Sequence, residues 1–105
     1  MKRNWYLILL ALAGGDRHGL GIMRDVLALT DGEVRLWPAT LYGSLDELAR
    51  RGWIEELADP EERPEGESER KRYYRITAEG EVELAAETDR LAGLVRRARA
   101  RVREA

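Results

Sequence analysis

The chain has no cysteine and one histidine, His18. Disulfides, cysteine-based zinc sites and thiol catalysis are thereby excluded. A triad or metal cluster would have to be assembled around a single imidazole, and no neighbouring set of residues completes one. His18 is instead expected to be a structural residue at the start of a helix. No acid, base and nucleophile constellation emerges elsewhere, so neither an enzyme nor a cofactor is expected. Strong net charge is also missing: 18 Lys and Arg against 20 Asp and Glu leave −2. Composition alone therefore does not announce a nucleic-acid binder. Long apolar runs are absent as well. Trp5 to Leu10, ahead of the small-x-small triplet Ala11-Leu12-Ala13, is short for a signal-peptide core. It is far short of the ~20 residues that cross a bilayer. A buried helix ended by Gly14-Gly15 is the expectation, with no membrane partner and a cytoplasmic location. There is no internal repeat.

At 105 residues the chain is long enough for one domain with a modest core. The first helix is expected from about Asn4 to Ala13, apolar nearly all round and hence buried. In "DRHGLGIMRDVLALTDG" a second helix carries Leu20, Met23 and Leu27 at i, i+3, i+7, with Ile22, Val26 and Leu29 beside them. It ends near Asp31-Gly32. Gly19 and Gly21 weaken its start, which suggests a close approach to another helix. The third helix opens at Pro38, whose missing N–H is harmless in a first turn. Its buried stripe is Leu41, Leu45 and Leu48, and Gly52 closes it.

"WIEEL" (Trp53 to Leu57) reads as a short strand, and "RKRYYRIT" as a second. Between them "ADPEERPEGESE" is a polar loop, so the two strands form a hairpin. Alternation predicts that one of Tyr73 and Tyr74 is core and the other exposed. Thr77 reads as an N-cap, with Gly80 where a capping box would have Glu. Trp5 and Trp53 are expected in the core; Trp37 either packs under the third helix or lines a pocket.

The last segment has a different period. Leu84, Thr88, Leu91, Val95, Ala98 and Val102 are spaced 4-3-4-3-4, an a/d seam. At 1.5 Å per residue the helix is roughly 35–40 Å long, more than a small domain can cover. A second copy of the chain is the simplest partner for the remainder, through Leu84, Leu91, Val95, Ala98 and Val102.

Three helices, a hairpin and a long helix make a mainly α chain with the winged helix-turn-helix plan. Residues 1–76 are expected to form a DNA-binding domain and residues 77–105 a dimerisation helix. In that plan the third helix reads DNA. Projection at 100° per residue from Leu41 puts Ala39, Thr40, Gly43, Glu47 and Arg50 on the side away from the leucines, flanked by Tyr42 and Ser44. Thr40 and Ser44 suit phosphate or base edges, and Tyr42 suits a phosphate. Asp46 and Glu47 lie in the second half, which should lean away from the groove. Residues 53–72 carry eight acids and four bases, a net of −4, while residues 1–52 and 73–105 are each +1.

"TLYGSLDELARRGWI" followed by "RKRYYRITAEG" resembles the PadR family of transcriptional regulators, and "HGLGI" is similar to that family's His-Gly element. The resemblance spans nearly the whole chain. It implies a dimeric winged-helix DNA binder, commonly a repressor released by a small molecule, with the single C-terminal helix of the short members exchanging contacts across the dimer. By position it puts Thr40, Tyr42 and Ser44 on the reading helix and Arg70, Lys71 and Arg72 at the base of the wing. Glu61, Glu62, Glu65, Glu67 and Glu69 depart from a DNA-binding wing tip. The expected partners are an inverted-repeat DNA operator, a second copy of the chain, and a planar hydrophobic effector that the tryptophans could stack on. The rival reading is a protein–protein interaction module that uses the winged helix only as a scaffold.

Overall fold

The computed structural model describes residues 1–57 and 72–104. The acidic loop, Arg70 and Lys71 lie outside the described residues. The elements run α1 (Arg3–Ala13), β1 (Arg17–His18), α2 (Gly19–Leu29), α3 (Pro38–Arg50), β2 (Ile54–Leu57), β3 (Tyr73–Ile76) and α4 (Ala78–Glu104).

The apolar first segment is a core helix, burying Trp5, Ile8, Leu9, Ala11 and Leu12. After it the chain turns under Arg17, whose Nε donates to the Ala11 carbonyl at 3.0 Å. The Arg17 guanidinium also lies 3.6 Å from the Asp25 carboxylate, tying the end of α1 to α2. His18 has the structural task expected of it. It is the N-cap of α2, and its Nδ1 accepts from the Gly21 N–H at 3.1 Å.

The roll of α2 differs from the expected one. Leu20 and Leu29 are exposed, and the buried line is Gly19, Ile22 and Val26. The spacing is still i, i+3, i+7, but shifted by one residue. Gly19 explains the shift, because a side chain there would run into the Tyr42 hydroxyl and lie 3.4 Å from Leu41 Cδ2. The close approach to α3 falls on Gly19, so that face of α2 turns inward and the larger leucines turn out.

In α3, Leu41, Leu45 and Leu48 are fully buried, as the spacing required. Gly52 ends the helix at φ 79°, where a Cβ would be strained. Gly52 N–H donates to Ala49 O at 3.0 Å and Trp53 N–H to Leu48 O at 3.1 Å, a Schellman closure.

The expected hairpin is part of a three-stranded antiparallel sheet in the order β1-β3-β2. Ile54 pairs with Ile76, Leu57 with Tyr73, and Arg17 with Tyr74. The two-residue β1 places β3 in the middle. Tyr73 and Tyr74 are consequently both buried, which corrects the expectation that one would face solvent. Tyr74 and Ile76 join the main core, while the Tyr73 ring meets the His18 ring edge-on at 5.3 Å. On the same face as Tyr73, Arg75 is joined to Asp16 at 2.9 Å.

Thr77 is the N-cap of α4. Its Oγ1 accepts from the Gly80 N–H at 3.0 Å and donates to Gly52 O at 2.7 Å. The first half of α4 lies along α1, where Leu84 packs on the core and the Tyr6 and Thr88 hydroxyls are 2.8 Å apart. Beyond that the helix overhangs, and the molecule measures 55 × 28 × 23 Å.

Candidate nucleic-acid interface

The leucines of α3 turn inward, so its opposite face turns out. Ala39, Thr40 and Gly43 are exposed there, Ser44 is partly covered, and Tyr42 is 37% exposed. No neighbouring atom lies within 4 Å of a Cβ built on Gly43, so the helix backbone is open to a close approach at that point. Trp37 caps the N-terminus of α3 without a side-chain hydrogen bond, leaving first-turn N–H groups free for an acceptor.

Two different flanks border this face. On one side Tyr42 rests against Gly19 at the start of α2. Here too is the base of the wing, where Arg72 bonds Glu56 across the strands: Nε donates to Oε1 at 2.7 Å and Nη2 to Oε2 at 3.3 Å. The Glu56 carboxylate holds the Arg72 guanidinium above its ordinary pKa, and the same guanidinium lies 5.6 Å from the Tyr74 ring. Burial pushes the Tyr74 hydroxyl up to about 12. Arg72 is therefore at the wing base with its charge matched by a carboxylate.

The other flank is a groove of about 460 Å³ between the first turn of α1 and α3, lined by residues that include Lys2, Arg3, Thr40, Gly43 and Ser44. Neither Lys2 nor Arg3 stood out as a site residue in the sequence, where they read only as charges ahead of an apolar run. Thirty-seven positions separate Arg3 from Thr40 in the chain, and only the folded α1–α3 packing brings them together. Glu47 also lines the groove and is held by Arg50 at 2.9 Å.

Trp37 is 65% exposed, so of its two expected places it does not pack under the third helix. It borders an apolar groove of about 340 Å³ with Leu20, Met23, Leu27 and Leu36, and the Arg35 guanidinium lies 5.9 Å from its ring. Trp5 and Trp53 pack edge to face at 6.0 Å, with Arg51 on both rings.

Along α4 the expected seam divides. Leu84 and Thr88 meet α1 within the protomer, and Leu91 is partly covered. Val95, Ala98 and Val102 are exposed. Leu94, which the 4-3 spacing passed over, is exposed next to Val95. Among the described residues there is no group of three or more His, Asp or Glu able to hold a metal, and no helix long and apolar enough to cross a membrane.

A helix packed by three leucines on two others, followed by a small sheet, defines a winged-helix protein. Solved structures share this architecture. A transcriptional regulator from Clostridium thermocellum matches with a TM-score of 0.74 at 25% identity, covering 91% of this chain and 89% of that one. F93 from STIV, a winged-helix DNA-binding protein, matches at 0.72 and 20% identity, covering 90% and 94%. PadR from Bacillus subtilis in complex with operator DNA matches at 0.67 and 22% identity, covering 83% of this chain and 47% of that one. None of the curated proteins matches the chain. The model of the PadR-like family of transcriptional regulators matches residues 8–86, and the chain belongs to that family. The resemblance carried by the Leu-Tyr helix, the Tyr-Tyr strand and Thr77-x-x-Gly80 is thereby borne out. Membership makes the chain a transcriptional regulator and not an enzyme.

Proposed function

We propose that the chain is a homodimeric, sequence-specific DNA-binding repressor whose α3 enters the major groove of an inverted-repeat operator, and that a planar apolar effector releases it. The observation that carries this reading is the face of α3: small and polar, exposed at Thr40 and Gly43 and partly covered at Ser44, and backed by three fully buried leucines. A small polar face lets the helix backbone come close to base edges in a major groove, and the leucine backing holds the helix rigidly there. Residues 1–76 then read DNA, and residues 77–105 join the protomers.

The partner proposed for the overhang of α4 is a second copy. Residues 78–90 carry five acids and one base, and residues 91–104 carry five bases and one acid. Two such helices running antiparallel set acidic half against basic half over a shared apolar line of Leu91, Leu94, Val95, Ala98 and Val102. A dimer presents two copies of α3, which accounts for an inverted repeat with half-sites about one or two helical turns apart. The effector part of the proposal is supported by the exposed Trp37 ring beside an apolar groove of about 340 Å³, within the size range of small-molecule sites. A cytoplasmic location belongs to the same reading.

Selection of operator sequences from random duplexes, followed by binding titrations, tests the DNA role. Thr40→Ala and Ser44→Ala should change which sequences are preferred. Tyr42→Phe should weaken operator binding by about 1 kcal/mol through the loss of one hydroxyl-to-phosphate bond. If all three variants are folded and bind the selected operator as the parent does, α3 does not read DNA. The winged helix would then serve as a scaffold for a protein partner.

A further inference from the structure

We infer that the first turn of α1, through Lys2 and Arg3, is a DNA backbone clamp that seats a phosphate strand in the groove alongside α3. The inference rests on the reading that α3 enters a major groove, and adds to it the element that supplies the phosphate-binding charge.

Three observations carry it. The groove lies on the reading face itself, because its walls are Lys2 and Arg3 on one side and Thr40, Gly43 and Ser44 on the other. A strand backbone bordering the major groove that α3 occupies must run along one of its flanks, and this flank is an open channel of about 460 Å³. Next, Lys2 and Arg3 are exposed cations with no carboxylate partner among the described residues; the contact of Lys2 is the Trp5 ring, 5.0 Å from its Nζ. Arg51 lies over the same indole at 4.7 Å, adding a third positive charge. Finally, the opposite flank is compensated: Arg72 at the wing base already has Glu56 at 2.7 Å. A phosphate binding at Arg72 would have to displace a carboxylate, whereas one at Lys2 and Arg3 displaces only water and counterions.

Local structure favours the same two residues. Lys2 is the N-cap of α1 without a side-chain cap, and no acid lies in the first turn, so the positive end of the helix is not neutralised. The acid in the groove is Glu47, and it is already bound to Arg50. A phosphate is thus drawn to Lys2 and Arg3, across the groove from Thr40, Gly43 and Ser44. In that position the clamp sets how far and in which register the reading helix enters the groove.

The test is a salt titration of the double variant Lys2→Gln, Arg3→Gln on the selected operator and on a random duplex, with thermal melting of both proteins to establish equal folding. Loss of two phosphate contacts per protomer should lower the slope of log K against log salt by about 2 per bound protomer. Affinity at 0.1 M salt should fall by roughly tenfold or more on operator and random duplex alike. An unchanged slope with parental affinity overturns the clamp while leaving α3 as the reader. A loss confined to the operator overturns it too, since phosphate contacts do not distinguish sequences. A parent protein that binds no duplex at all overturns both this inference and the DNA-binding reading.

Discussion

The carbonyl of Trp53 occupies the place where a Cβ on Gly80 would stand. Thr77 fixes that approach from both sides: its N–H donates to Trp53 O at 3.0 Å, and its hydroxyl bridges Gly52 O and Gly80 N–H. A capping-box glutamate at position 80 is excluded by the same contact, because any side chain there meets the backbone of Trp53 as well as Ile76 Cγ1 at 2.9 Å. Gly80→Ala is expected to push α4 off the sheet and to cost about 1–3 kcal/mol, as overpacking does. Thr77→Ala should cost about 1 kcal/mol through the lost cap. Chemical denaturation of the two variants checks both, and a Gly80→Ala protein as stable as the parent would show that the α4 start can shift freely.

Tyr74 gives the fold an alkaline limit. Its hydroxyl is buried without a partner among the described residues, and burial raises its pKa from 10 to about 12. Below pH 10 it is protonated folded or unfolded, and its contribution is complete. Between about 10 and 12 the unfolded chain loses the proton and the folded chain does not, so stability falls with rising pH. Tyr74→Phe should flatten that decline and leave the neutral-pH melting temperature unchanged or higher, since no bond is broken. Parallel thermal melts from pH 8 to about 12 would detect the difference.

The parts of the fold legible in the sequence were those in which one residue type carried one physical signal. Leu41, Leu45 and Leu48 stand out because the rest of their helix is small or polar, and Pro38 and Gly52 mark its ends. In α2 the signals competed. Six large apolar residues surround the axis, and the residue that decides its roll is Gly19, which has no side chain to betray it. β1 was invisible because Arg17 and His18 have no strand pattern of their own; pairing with β3 makes them a strand. That pairing buries Tyr73, which alternation alone would have left outside. On α3, projecting one helix was enough to set Thr40, Tyr42, Gly43 and Ser44 off the buried leucine face. Lys2 and Arg3 were missed because their relation to α3 is tertiary. The bond between Arg72 and Glu56 was missed for a similar reason, since a loop separates the partners.

For the dimer, Leu91→Asp with Val95→Asp would place charges on the apolar line of α4 and should give monomers in sedimentation experiments. Neither residue belongs to the protomer core, so folding of the monomer should survive. Because the two halves of α4 carry opposite charge, salt should also loosen the parent dimer by screening, with the apolar line setting the floor. A dimer unaffected by both the substitutions and salt would place the interface away from α4.

Gly43 separates the demands of the fold from those of DNA. It sits inside α3 on the exposed face, and a methyl group added there meets nothing within 4 Å. For folding alone, alanine is the better residue: it has the higher helix propensity and reduces the freedom of the unfolded chain, worth about 0.5–1 kcal/mol. The gain should appear as a rise of a few degrees in melting temperature. For DNA binding the same methyl group is an obstruction if the backbone of α3 comes close to a base edge or phosphate between Thr40 and Ser44. Gly43→Ala is therefore expected to melt higher and bind the selected operator more weakly. Calorimetry and a binding titration on one preparation measure both. A variant that is more stable and binds operator as tightly as the parent would remove Gly43 from the interface and turn the reading face toward Thr40 and Tyr42.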